Sequence, residues 1–260
     1  MLQDVIASIF ESAVVLENSC LTLSAPQSEV VFIEEVVSKF VRSVGERLDF
    51  CIKTSQKRNQ NWVQEYQKNI PPILIEPFFI HTSWHTPKKN KINIQIDPNM
   101  AFGTGNHQTT SSCLELISKM PLENKNCLDL GCGTGILALA MRYKKANVDF
   151  CDTDEKAIKI AKKNFQINKL DFGECWCGSL KSSPDNTYDL IVANLVSDIL
   201  ISLKDSFWEN LKEECYLIIS GILIDYKEKI LDAFSKKYNL LEEIEKQNWV
   251  TFLLRKKKNG

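Results

Sequence analysis

The chain has little of what holds metals or staples small folds. Its 260 residues include three histidines, His81, His85 and His107, and none of its nine cysteines stands in a CxxC pair. Tetrahedral zinc needs clustered sulfur or imidazole ligands, so no zinc site is spelled out and no metal is expected. The cysteines read as free thiols of a reducing compartment, the closest two being Cys175 and Cys177. An excess of one charge is also missing. Lys+Arg number 32 against 33 Asp+Glu, a net charge of -1, which leaves no basic field to argue for nucleic acid. Long apolar runs are broken by charge, as Asp198 breaks NLVSDILISL, so no membrane span is expected. The opening MLQDVIASIF lacks a basic n-region and carries Asp4 inside its apolar stretch, unlike a signal peptide. Repeats and low-complexity tracts are absent. With 44% hydrophobic and 25% charged residues, a wholly disordered or collagen-like chain is excluded, and a cytoplasmic enzyme or binding protein is expected.

What is present falls into three stretches. Residues 1–52 combine a strand-like VVLENSCLTLS with VFIEEVVSKFVRSV. There Val30, Ile33, Val37, Val41 and Val44 fall near one helical face, enough for a small α+β domain. Residues 53–72 read as a linker with a helix. The polar KTSQKRNQN precedes Trp62, Tyr66 and Ile70, a stripe at spacing four that stops at Pro71-Pro72. Residues 73–260 open with FFIHTSW and KINIQID, short strands around the polar turn PKKN. From Asn126 strands and helices alternate. CLDL, NVDFCD, YDLIVAN and CYLIIS are strands, and ILALAMRYKK, DEKAIKIAKKNFQIN and a segment from Val196 to about Lys212 are helices. That alternation predicts βαβ units and a parallel sheet. YNLLEEIE and WVTFLLRK follow each other with no helix between, as an antiparallel pair closing the sheet.

Chemistry concentrates in CLDLGCGTGILALA. A strand ends at Leu130, Gly131, Gly133 and Gly135 make the turn, and a helix begins at Ile136. Glycines let backbone approach a ligand, and the helix start offers free N–H groups; a plain β–α turn is the competing reading. Asp152 ends the next strand, where a carboxylate can accept both ribose hydroxyls of an adenosine ligand, or else cap the helix starting near Asp154. Asn194 ends the strand after that, at a ligand-facing position or as a turn residue. Upstream, DPNMAFGTGNHQTTSSCLELI carries Gly103 and Gly105 in a loop and leads through Thr109, Thr110 and Ser111 into an apolar helix. A hydroxyl there can cap the helix or meet a ligand. His107 is a candidate general base, although packing or solvation is the commoner role of a loop histidine.

AFGTGNHQTT, then LDLGCGTGILALA, CDTDEKAI and VANL, resembles the ribosomal protein L-eleven methyltransferase family. Ser83-Trp84, Ser220 to Leu223 and Trp249 fit as well, and the likeness runs from about Trp62 to Lys257. Asn99 stands where the family usually has glycine and Gln108 where it usually has proline; Leu195-Val196 replace the commoner Ile-Leu. The resemblance implies a Rossmann-like α/β sheet of the class I S-adenosylmethionine (SAM) methyltransferases with an antiparallel last strand, behind a small α+β substrate-recognition domain. It implies SAM contacts at Thr110, Gly131, Asp152 and Asn194, joined by Gly133, and a covering loop with Phe102 and Gly103. Asn194 would lie near the transferring methyl. The acceptors would be amino groups, lysine side chains and the amino terminus, of large-subunit ribosomal protein eleven. Competing readings are a SAM enzyme with another protein, RNA or small-molecule acceptor, a non-catalytic SAM-binding module, and an NAD-dependent dehydrogenase. The last fits less well, because its fingerprint is GxGxxG and this chain has GxGxG.

Overall fold

The computed structural model describes residues 15–17, 20–22, 71–96, 107–183 and 187–258. The chain divides into two compact units, Met1–Gln64 and Glu65–Gly260. In the first, β1 (Val15–Glu17) and β2 (Cys20–Thr22) pair antiparallel with Leu16 opposite Leu21. The stretch expected as one strand is therefore a hairpin. The helices expected over Val30–Val44 and Trp62–Ile70 lie outside the described residues.

The first described elements of the second unit are three short strands, β3 (Ile73–Ile75), β4 (Phe78–His81) and β5 (Ile92–Gln95). β3 and β4 are antiparallel, but β4 and β5 run parallel, so the PKKN segment does not make a simple hairpin. Phe78, Ile80 and Ile94 are buried in a core shared with helix α1 (Gln108–Lys119).

The main sheet has seven strands. They are β6 (Asn126–Leu130), β7 (Asn147–Asp152), β8 (Cys175–Cys177), β9 (Tyr188–Asn194), β10 (Leu211–Leu223), β11 (Tyr238–Lys246) and β12 (Trp249–Lys256). Their order is β11-β12-β10-β9-β6-β7-β8. β6 pairs parallel with β7 on one side and β9 on the other, so the winding reverses there. Ligands bind at such switch points, outside the carboxyl ends of the strands. β11 and β12 are the antiparallel pair that closes the sheet, as expected. β12 lies antiparallel between β10 and β11, and β11 is the edge.

Side-chain alternation explains the apolar runs. Leu190 and Val192 enter one core with α1, α2 (Ile136–Tyr143) and α3 (Glu155–Ile167). Ile191 and Ala193 enter a second core with α4 (Ser197–Ser202), α5 (Lys204–Asn210) and α6 (Lys227–Ser235). A strand covered on both faces reads as continuously hydrophobic. The helix expected from Val196 to Lys212 is two helices meeting at Leu203. α6 and β8 carry little sequence signal. α6 buries only Ile230 and Phe234, four apart, and β8 has three residues. Among the described residues no helix is long and apolar enough to cross a membrane.

One position constrains the sheet strongly. Gly221 has φ +81°, where β10 breaks register with β12 between Ile219 and Ile222. A Cβ there would sit 2.5 Å from the Leu195 carbonyl oxygen and 2.9 Å from its carbon. Gly221→Ala combines a left-handed backbone with an overpacked main-chain contact. The expected loss is roughly 2–5 kcal/mol. Urea unfolding checks it; a variant as stable as wild type shows that Leu195 can give way.

Candidate active site

The turn after β6 is tied to β7 by backbone. Gly131 and Cys132 both donate to the Cys151 carbonyl, at 2.9 and 3.0 Å. Gly135 is the N-cap of α2 in left-handed conformation, φ +77°. A Cβ on it would meet the Ala161 Cβ at 3.0 Å, so glycine lets α2 and α3 approach here. Asn164, fully buried on α3, donates to the Thr134 carbonyl at 2.9 Å and fixes the turn from the other side.

Asp152 ends β7 facing this turn. Its Oδ2 accepts the Gly133 N–H at 2.9 Å and its Oδ1 accepts the Asp154 N–H at 3.0 Å. The helix cap is a different residue: Asp154 accepts the Lys156 N–H at 2.8 Å and starts α3. The capping alternative for Asp152 therefore falls away. A carboxylate has about four acceptor sites, so two backbone donors orient it and leave two for a ligand.

Thr110 and Asn194 meet across the site. Thr110 is 1% exposed in the first turn of α1, and Asn194 Nδ2 donates to its Oγ1 over a long 3.4 Å. Neither threonine nor serine caps α1. His107 does, its Nδ1 accepting the Thr109 N–H at 3.4 Å and lying 2.7 Å from Thr109 Oγ1. The imidazole stands edge-on to Trp249, centroids 4.9 Å apart. His107 thus has a structural role, with one ring nitrogen engaged in it.

A cavity of about 280 Å³ lies between these strand ends. Thr110, Gly131, Gly133, Asp152 and Asn194 all line it, beside Leu137, Ile199 and Leu203. An apolar wall with a few convergent polar groups suits a small organic ligand, and the volume lies just under the usual range of roughly 300–1,000 Å³. Phe102 and Gly103 lie outside the described residues. Cys132 also lines the cavity, but burial pushes its thiol well above the ordinary range, so it is no nucleophile at neutral pH. Among the described residues no group of three His, Cys, Asp or Glu could hold a metal ion.

Sequence reasoning passed over one polar residue of this region, Asp129 on β6. It is 1% exposed; Oδ2 accepts the Ala138 N–H of α2 at 3.0 Å, and the buried Oδ1 has no hydrogen-bond partner. Burial pushes its carboxyl up to about 7, the Ala138 N–H pulls it down, and Asp152 raises it further. The available signal was a charge inside the otherwise apolar strand CLDL.

A mostly parallel seven-stranded sheet with one reversed strand beside its edge, and a glycine turn facing a carboxylate across the switch point, defines a class I S-adenosylmethionine-dependent methyltransferase. The family model of ribosomal protein L11 methyltransferase (PrmA) matches residues 7–257, and the chain belongs to that family. It is 42% identical over 224 residues to the ribosomal protein L11 methyltransferase of Wolinella succinogenes, covering 86% of this chain and 81% of that one. It is 39% identical over 219 residues to that of Nitratiruptor sp., covering 84% and 77%. Among solved structures, the ribosomal protein L11 methylase of Lactobacillus delbrueckii subsp. bulgaricus superposes with a TM-score of 0.67 at 28% identity, over 72% of this chain and 99% of that one.

Asp129 makes stability depend on pH. Its folded carboxyl titrates near 7 instead of 3.8, so the folded state holds the proton more tightly than the unfolded state. Stability is therefore greatest below about pH 4 for this group and is lost as pH rises through 7. Asp129→Asn removes the titration. Between pH 5 and 8 the wild type should lose roughly 2–3 kcal/mol relative to that variant. Urea unfolding of both proteins at the two pH values measures it; a constant difference would show that Asp129 titrates normally.

Proposed function

We propose that this enzyme transfers methyl groups from S-adenosylmethionine to amino groups of large-subunit ribosomal protein L11, on lysine side chains and the amino terminus. The observation that carries the reading is the cavity at the switch point, with Asp152 at the end of β7 and Asn194 at the end of β9. The names of the relatives point to the same acceptor.

The residues present fit the cofactor. Asp152, oriented by two backbone donors, can accept the two ribose hydroxyls. The turn holding Gly131 and Gly133 would border the methionine part, and Leu137, Ile199 and Leu203 give the cavity an apolar wall. Thr110 and Asn194 would flank the methyl end, and Phe102 and Gly103 would add further contacts to the cofactor. The bound sulfonium supplies an activated methyl group, so the protein's task is alignment and exclusion of water. The amine attacks only when neutral, and an ordinary lysine has pKa ~10.4. A desolvated approach to Asn194 favours the neutral form. Residues 1–52 recognise the acceptor, 53–72 link, and 73–260 bind the cofactor and align the amine. The enzyme acts in the cytoplasm, and its balanced charge gives no strong nucleic-acid signal.

Labelled S-adenosylmethionine should label ribosomal protein L11 in the presence of the enzyme; no transfer would reject the reading. Asp152→Ala should weaken cofactor binding by roughly 1–3 kcal/mol, the cost of losing charged hydrogen bonds. Calorimetry giving unchanged affinity in the folded variant removes the ribose role.

His107→Ala should lower stability by about 1 kcal/mol through loss of the cap. Its turnover should fall by far less than the ~10²–10⁴-fold expected for a general base. A loss of that size in a folded variant would make His107 the base.

A further inference from the structure

Beside the Asn194 end of the cavity the surface is unusually apolar. Val196 is 59% exposed, Ile199 46%, Leu223 39%, Ile224 41% and Tyr226 40%. They come from two segments, the start of α4 and the exit of β10. The segments form one ledge. Gly221 packs on the Leu195 backbone, and Lys229 reaches Asp198 at 3.0 Å while its ammonium lies 5.5 Å over the Tyr226 ring. Ile199 and Leu195 also line the cavity, so the ledge continues its wall outward.

The charges around the ledge are acidic. Lys227 is held by Glu243 and Glu245, and Lys229 by Asp198. Asp225 and Glu228, on the same segment, have no cationic partner among the described residues. An apolar platform with an unbalanced acidic rim complements an apolar segment carrying ammonium groups. It repels phosphate, which disfavours RNA. A second copy docked symmetrically would set acidic rim against acidic rim.

We propose that this ledge receives the lysine-bearing segment of the protein acceptor and delivers its amine to the Asn194 end of the cavity. The proposal rests on the amine methylation proposed above. Apolar side chains of the acceptor cover Val196, Leu223 and Ile224, neighbouring lysines face Asp225 and Glu228, and the target lysine enters beside Ile199. Docking on the ledge covers the exposed Ile199 side of the cavity and removes water as the amine arrives.

The test varies ledge residues that do not line the cavity. One variant is Asp225→Lys with Glu228→Lys, and a second is Ile224→Asp. Each should raise KM for ribosomal protein L11 by roughly tenfold or more, with kcat and the cofactor Kd unchanged. Wild-type KM should rise with added salt, and that of the double charge reversal should not. Unchanged cofactor Kd reports an intact fold. Should a variant fail to bind cofactor, the milder Asp225→Asn with Glu228→Gln replaces it, with a smaller rise in KM and a flatter salt dependence. Wild-type KM and salt dependence in folded variants overturn the ledge alone. No methylation by the wild-type enzyme overturns the functional reading and the ledge with it. Sedimentation showing a dimer that Ile224→Asp abolishes would give the ledge to a second copy and overturn the proposal.

Discussion

β9 leaves the sheet through a gap that only glycines keep open, and the geometry of the site follows from that passage. A Cβ on Gly131 would meet Leu195 Cδ2 at 2.5 Å, and one on Gly221 would meet the Leu195 carbonyl at the same distance. The Leu195 N–H donates to the Ser220 carbonyl at 3.0 Å. Leu195 is thus held between the ends of β6 and β10, and Asn194 before it is set level with Gly131. Ser220 carries the constraint further. Its fully buried hydroxyl lies 2.6 Å from Thr251 Oγ1 and 3.4 Å from the Thr109 carbonyl, which ties the first turn of α1 to β10 and β12. Thr110 follows Thr109, so its contact with Asn194 depends on the same stack.

Two carboxylates on neighbouring strands illustrate how placement decides use. Asp152 sits at a strand end, accepts two backbone N–H groups, and lines the cavity. Asp129 sits one residue inside its strand, fully covered, with one backbone N–H and one unpartnered oxygen. The first stays available to a ligand. The second grips the start of α2 from behind, and burial raises its carboxyl toward neutrality. The glycine turn is therefore held by Asp152, and the helix that follows it by Asp129.

Much of this was legible because each signal was local. NVDFCD, YDLIVAN and WVTFLLRK have the strand bounds their patterns predict, since each carries apolar residues at strand spacing between polar residues. The places of Asp152 and Asn194 at strand ends beside the cavity were legible from the strand bounds alone. The misses were non-local. The order within the closing pair, with β12 inside and β11 at the edge, depends on pairing across the sheet, which spacing does not encode. β8 is three residues long, and α6 shows a stripe of only two buried residues. Asp129 was hidden because its role lies in where its strand packs. His107 capping α1 was missed because Thr109, Thr110 and Ser111, residue types preferred as caps, follow two to four residues after it.

The cap also explains why the departure at Gln108 is tolerated. With His107 as N-cap, Gln108 is the first residue of α1. Proline suits that position because its fixed φ is helical and its missing N–H has no partner within the helix anyway. Glutamine forgoes the fixed φ but breaks no hydrogen bond, for the same reason. The first intrahelical bond runs from Ser111 N–H to the His107 carbonyl at 3.0 Å and does not involve residue 108. What fixes the start of α1 is the His107 ring below it and the Ser220–Thr251 pair behind it, so Thr110 keeps its place against Asn194 without the proline.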